Sequence, residues 1–125
     1  MVEVKYNDLG LIAYKDAFKI QEALFNENLR KKGEMRKGFE SEKVEMGNEF
    51  IFCEHGHVIT LGKSGAGENL LFDEGYLKKQ GVDFYRTNRG GDITYHGPGQ
   101  IVGYPVFDLE QFGLSIHEYI FSLEE

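Results

Sequence analysis

The chain carries a single cysteine, Cys53, in 125 residues, and one thiol excludes an internal disulfide framework. No apolar stretch approaches the length of a membrane span, and the polar, acidic start Met1–Asp8 has no signal-peptide pattern. Positive charge is also short: 14 lysines and arginines against 21 aspartates and glutamates leave −7 at pH 7. That balance argues against nucleic acid as the main ligand, because phosphate binding needs a basic face. Internal repeats and low-complexity tracts are missing too. What is there, 41% hydrophobic and 28% charged residues, is the make-up of an ordinary globular domain. The expectation is one domain over residues 1–125, cytoplasmic, and large enough to bury a useful core.

The positive charge that exists is unevenly placed. Arg30-Lys31-Lys32 with Arg36-Lys37 form one cluster, and Lys78-Lys79 with Arg86 and Arg89 a second. The first reads best as a solvated helix end and loop, where cations suit the helix dipole.

The hydrophobic pattern alternates between helical and strand periods. Val2–Tyr6 reads as a short strand. Tyr14, Ala17, Phe18, Gln21, Leu24 and Phe25 recur at helical spacing, which predicts an amphipathic helix over Ala13–Arg30 with that stripe on the core. Lys31–Asn48 is polar with three glycines and reads as a loop. Glu49–His55 is a buried strand by its Phe50-Ile51-Phe52 run, and His57–Leu61 either continues it past Gly56 or forms a second strand. Ser64–Asn69 reads as a loop. Asp73–Gln80 is a short helix ended by Gly81, followed by strands Val82–Thr87 and Gln100–Asp108, and Ser115–Glu125 is helical. This order predicts a mixed α/β (α+β) fold, a sheet with helices packed on it.

The densest chemistry lies in Asn88-Arg89-Gly90-Gly91-Asp92-Ile93-Thr94-Tyr95-His96-Gly97-Pro98-Gly99, where four glycines, an arginine, a histidine and a proline crowd together. Glycine lets backbone N–H groups approach a ligand closely. Arg89 offers a rigid fork of donors, and His96 a proton site near neutral pH. The plainer reading is a long glycine-rich turn between two strands. Arg89 would then pair with Asp92 or another loop carboxylate, and His96 would cap the Gly-Pro-Gly bend. Thr94 and Tyr95 point to opposite faces if the segment is extended, so one of them faces a pocket and the other the core.

Arg89-Gly90-Gly91-Asp92-Ile93-Thr94-Tyr95-His96-Gly97-Pro98-Gly99-Gln100-Ile101-Val102-Gly103-Tyr104-Pro105 resembles the signature of the lipoyl(octanoyl) transferases, the octanoyltransferase or lipoate-protein ligase B family. Glu54-His55-Gly56-His57-Val58-Ile59-Thr60-Leu61-Gly62-Lys63-Ser64-Gly65, followed by Asn69-Leu70-Leu71, is similar to that family's upstream Glu-His-x-Pro-Val-x-Thr-x-Gly segment. His57 stands where the family has proline, freeing an N–H, and Lys63 where arginine is commoner.

The resemblance implies the fold of biotin and lipoate protein ligase catalytic domains, here as the N-terminal part. It implies transfer of an octanoyl group from octanoyl-acyl carrier protein to a lysine of lipoyl domains, those of 2-oxoacid dehydrogenases and the glycine cleavage H protein, with no cofactor and no metal. It assigns Arg89, Gly90, Gly91, Asp92, Ile93, Thr94, Tyr95 and His96 to the substrate-binding wall, with His55 as a pocket neighbour. The family's nucleophilic cysteine and activating lysine match nothing in this chain, so no catalytic residue is assigned. Cys53 precedes the first motif and reads as a buried small hydrophobe; Thr60 and Gly62 read as structural. An incomplete sheet would leave Tyr104, Val106 and Phe107 as uncovered apolar surface, and the chain on its own is expected to perform no transfer. The acidic carrier would be steered by basic patches.

Other readings remain. One is a non-catalytic acyl- or carrier-binding module that keeps the wall and lacks the nucleophile. Another is an ATP-dependent lipoate or biotin ligase relative. Gly62-Lys63-Ser64 is similar to the end of a P-loop, but His57 stands where that motif needs its first glycine. His55, His57 and His96 would offer zinc three nitrogens, without a carboxylate at useful spacing.

Overall fold

In a computed structural model, residues 2–38, 46–65 and 73–125 are described. In chain order the elements are β1 (Lys5–Leu11), α1 (Tyr14–Lys37), β2 (Glu49–Glu54), β3 (Val58–Leu61), α2 (Glu74–Lys79), β4 (Asp83–Arg86), β5 (Ile93–His96), β6 (Val102–Val106) and α3 (Ile116–Glu124). The mixed α+β class holds, with the strands shared between two three-stranded sheets of order β1-β2-β6 and β4-β3-β5. The described chain divides into two compact units, one of Met1–Asp8, Ala17–Phe52 and Gly103–Glu125, the other of Leu9–Asp16 and Cys53–Val102.

In the first unit Ala17, Met46 and Ile51 are buried. Helix α1 runs seven residues past the predicted end at Arg30. Arg30 bonds Glu27 at 2.6 Å and Glu34 at 2.6 Å, pairs at helical spacing that support the last turns and outweigh Gly33. The helix stops at Gly38, whose φ of 74° a side chain resists. The remainder of the predicted Lys31–Asn48 loop includes residues 39–45, outside the described set. The buried stripe also differs from expectation. Ala17 and Asn28 are its buried members, whereas Phe18 and Phe25 are 42% and 54% exposed.

Buried polar groups tie this unit together. The Asn28 carboxamide donates to the Gly47 carbonyl at 2.9 Å and accepts from its N–H at 2.8 Å. Asn48 accepts from the Asp108 N–H at 2.7 Å and donates to Gln111 at 2.7 Å. Lys32 reaches the buried Asp108 carboxylate at 2.6 Å and Glu110 at 3.2 Å. The first basic cluster is thus not simply a solvated helix end: Arg30 is paired on the surface of α1, while Lys32 is drawn onto the buried Asp108.

Strand β1 begins at Lys5 rather than Val2, bonded to β2's entry by Lys5 N–H to the Asn48 carbonyl at 2.8 Å. Tyr104, Val106 and Phe107 are half-buried rather than uncovered, Phe107 packing edge-on to Phe50 and Tyr119. Exposed apolar side chains are found on α3 among other places: it buries no residue and shows Ile116, Ile120, Phe121 and Leu123. That helix is started by a reciprocal cap between Ser115 and Glu118.

In the second unit β3 is the central strand and separate from β2, resolving the two alternatives at Gly56. It pairs parallel with β4 (Thr60 beside Tyr85) and antiparallel with β5 (Thr60 beside Thr94, Val58 beside His96). Val58, Thr60 and Leu61 are buried, two of them β-branched and two of them apolar, as suits a central strand. Helix α2 is capped by Asp73, whose carboxylate accepts the Tyr76 N–H at 2.7 Å, and ends at Gly81 with φ 74°.

Candidate functional site

The glycine-rich segment is not one loop. Its second half, Ile93–His96, is strand β5, and only Asn88–Asp92 and the Gly97–Gly99 bend turn. Pairing with β3 decides the facing that the sequence left open. Thr94 sits opposite buried Thr60, and His96 opposite buried Val58. Alternation puts Ile93 and Tyr95 on the other face, where Tyr95 is 49% exposed and its hydroxyl lies 2.5 Å from His57 Nδ1.

On the Thr94–His96 side the unit gathers a polar aromatic cluster. His55 is 1% exposed, and its Nδ1 lies 2.7 Å from the Ile12 carbonyl oxygen. A carbonyl only accepts, so Nδ1 carries the proton and Nε2 is left as an acceptor, 3.7 Å from Cys53 Sγ. Tyr14 meets His55 edge-on at 5.6 Å between centroids and packs on Tyr85 at 5.2 Å. The His96 ring is 6.3 Å from that of His55. Its Nδ1 lies 2.5 Å from Gln100 Oε1, across the Gly-Pro-Gly bend, so the plainer turn-capping role is present as well.

Burial pushes the Tyr14 phenol above its ordinary value, with the nearby Arg89 guanidinium pulling partly the other way. Burial raises the Tyr85 phenol too, helped by the charges of Asp83 and Asp16. Both hydroxyls are therefore protonated at neutral pH.

Among the described residues Arg89 forms no salt bridge with a carboxylate. Its guanidinium donates to the Thr60 hydroxyl at 2.7 Å and carbonyl at 2.8 Å, to the Gly90 carbonyl at 2.8 Å and to the Asp92 carbonyl at 3.0 Å. The backbone adds Lys63 N–H to the Arg89 carbonyl and Gly62 N–H to the Asp92 carbonyl, both at 2.9 Å. Residues 89–92 are thereby moulded onto the end of β3. A side chain at Gly62 would collide with the Gly91 carbonyl oxygen, which is why the turn closes only over glycine. Gly91, with φ 87°, supplies the left-handed step.

The sequence-predicted residues Arg89, Thr94, His96 and His55 thus belong to one side of one unit, while Tyr95 faces away. Tyr14 and Tyr85 were read only as stripe and strand residues, and Thr60 and Gly62 only as structural. For Tyr14, Tyr85 and Thr60 the signal is a hydroxyl inside an apolar period, which needs a partner once buried; Gly62 carries no such signal. Among the described residues no three metal-binding side chains cluster. One cleft of this unit, about 340 Å³, lies by Glu74, Lys78 and Val82–Tyr85 rather than at Arg89–His96. The motif's Asn69-Leu70-Leu71 lies outside the described residues, as does most of the predicted Ser64–Asn69 loop.

An α+β chain carrying this glycine loop and histidine cluster belongs to the lipoyl protein ligase A/B catalytic domain family, whose profile matches residues 13–125. Among curated relatives, several carry the name octanoyltransferase. The octanoyltransferase of Cytophaga hutchinsonii is 53% identical over 122 residues, 98% of this chain and 50% of its own length. That of Parabacteroides distasonis is 51% identical over 125 residues, 100% of this chain and 53% of its own. The chain therefore spans about half the length of the curated relatives it matches. A solved structure of a T. acidophilum protein with bound lipoic acid, described as a candidate lipoate protein ligase, aligns over 80% of this chain and 36% of its own. Its TM-score is 0.47, at 19% identity.

Proposed function

We propose that the intact protein is an octanoyltransferase of lipoate synthesis. It would take an octanoyl group from octanoyl-acyl carrier protein and place it on a lysine of lipoyl domains, those of 2-oxoacid dehydrogenases and the glycine cleavage H protein. The reading rests on one observation above others: relatives named octanoyltransferase are about half identical to this chain over 98–100% of it. No helix among the described residues is long and apolar enough to cross a membrane; in this reading carrier and acceptors meet the enzyme in the cytoplasm.

In this reading a cysteine outside the present sequence attacks the carrier thioester, aided by a lysine also outside it. The old C–S bond breaks as the new one forms, and the carrier thiol leaves with a proton. The acceptor lysine's amine then displaces the cysteine, an amide C–N bond forms, and the amine's proton returns to the thiol. Residues Arg89–His96 supply the wall beside the reacting carbonyl, glycine N–H groups facing the oxygen that gains charge. His96 Nε2, whose Nδ1 is held by Gln100, is the acceptor for the amine's proton, and His55 backs the pocket.

The test is incubation of the intact protein with octanoyl-carrier protein and an unmodified lipoyl domain, without ATP, reading the octanoyl mass increment on the acceptor. Modification only with free octanoate and ATP assigns a ligase instead, and neither reaction assigns a binding module. The 125-residue chain alone is expected to show no turnover.

A further inference from the structure

Arg89 spends its hydrogen bonds on the protein itself. Within residues 89–92 the carbonyls turn to one side: that of Arg89 to the Lys63 N–H, that of Gly90 to Arg89 Nη1, that of Asp92 to the Gly62 N–H and Arg89 Nη2. The Gly91 carbonyl crowds the place where a Gly62 side chain would begin. A trans peptide bond sets C=O and the next N–H antiparallel. The N–H groups that follow these carbonyls, those of Gly90 and Gly91 among them, are thereby turned away from β3, and both glycines are exposed. Successive N–H groups aimed one way are the physical basis of an anion-binding concavity.

We infer that Arg89 is a positioning residue and not a direct acyl contact: by gripping Thr60 and the Gly90 and Asp92 carbonyls, it holds the Gly90 and Gly91 N–H groups toward a developing oxyanion of the transferred acyl group. Thr60 is the anchor. It is 1% exposed, its hydroxyl accepts from Arg89 Nε at 3.2 Å and Nη2 at 2.7 Å, and its carbonyl accepts from Nη2 at 2.8 Å. A guanidinium shared between a strand and the Gly90 and Asp92 carbonyls sets the direction of the peptides between them. Lysine, a point donor without the fork, cannot hold three carbonyls at once. The role in transfer rests on the octanoyltransferase reading, while the grip itself does not.

The experiment uses the intact protein with Arg89→Lys, Thr60→Val, Thr60→Ser and the Arg89→Lys/Thr60→Val double variant. Transfer is measured at varied octanoyl-carrier concentration, and the Gly90 and Gly91 amide resonances are recorded without substrate. Arg89→Lys is expected to lower kcat at least tenfold with KM for the carrier within twofold. Thr60→Val is expected to lower kcat several-fold and Thr60→Ser, which keeps the hydroxyl, to stay within twofold of wild type. The double variant should be no more than threefold worse than Arg89→Lys alone, because both changes break one grip. A KM raised tenfold at unchanged kcat, or fully multiplicative effects, overturns the inference and makes Arg89 a substrate contact. If the wild type transfers no octanoyl group, the functional reading fails. The grip is then judged by the amides alone: Gly90 and Gly91 resonances that move in Arg89→Lys and Thr60→Val but not in Thr60→Ser sustain it, and unmoved resonances overturn it.

Discussion

His55 Nδ1 sits 2.7 Å from the carbonyl oxygen of Ile12, forty-three residues earlier in the chain. With its ring 1% exposed, this bond ties the entry of α1 to the end of β2, and sets which nitrogen of His55 bears the proton. His55→Ala removes the ring and orphans a carbonyl. The expected loss is about 2–4 kcal/mol, read as a lower midpoint in urea unfolding. His55→Gln, if its amide reaches Ile12, should lose about half of that.

Gly62→Ala and Gly97→Ala look alike in sequence and should differ in consequence. At Gly62 the new carbon meets the Gly91 and Gly90 carbonyls, backbone that cannot yield without opening the turn. At Gly97 it meets the Tyr95 ring, a half-exposed side chain that can swing outward at the expense of its contact with His57. Gly62→Ala is expected to cost at least ~2 kcal/mol and Gly97→Ala under ~1 kcal/mol, compared by thermal unfolding of the two variants.

The Lys32–Asp108 pair makes a pH-dependent contribution. The hydrogen bond that Lys32 donates to Asp108, with help from Glu110, raises Lys32 above the ordinary lysine value. A group whose folded value is raised contributes stability in full below the ordinary lysine range, and loses it as pH climbs through the folded value. Lys32→Met should therefore destabilise at pH 7 by about 1–3 kcal/mol, since it leaves the buried Asp108 carboxylate without its cation. The gap between wild type and variant should narrow steadily above about pH 10.5. A gap unchanged up to the most alkaline pH tested would contradict this.

The apolar face of α3 predicts association. Ile116 is 74% exposed, and Phe121 and Leu123 are each 58% exposed, enough contiguous apolar surface to favour burial against another molecule. The isolated 125-residue polypeptide should elute on sizing with an apparent mass that grows with concentration. Ile120→Glu with Leu123→Lys should shift it toward the monomer, and a concentration-independent monomer peak for the unaltered chain would count against the idea.

Much of this was readable in the linear chain because its causes are local. The caps at Asp73, Gly81 and Ser115 satisfy helix ends within three or four residues of themselves, so the short helices fell where the residues indicated. The Phe50-Ile51-Phe52 run and the family motif around Arg89–His96 likewise depend on neighbours in sequence. The last turns of α1 were missed because a glycine-bearing polar stretch looks like a loop until Glu27, Arg30 and Glu34 are seen to pair. Its buried stripe was misplaced toward Phe18 and Phe25 because periodicity gives a helix faces without saying which one meets another element.

The sequence by itself determined the alternating α and β elements, the two motifs and the kinds of side chain they hold. Only tertiary structure decided where those side chains act. Thr94 shares buried Thr60's side of the sheet, and Tyr95 does not, because β5 pairs with β3 in one register, and a slip of one residue would exchange them. Arg89 grips Thr60 twenty-nine residues away, since a half-buried guanidinium finds its acceptors wherever the fold brings carbonyls together.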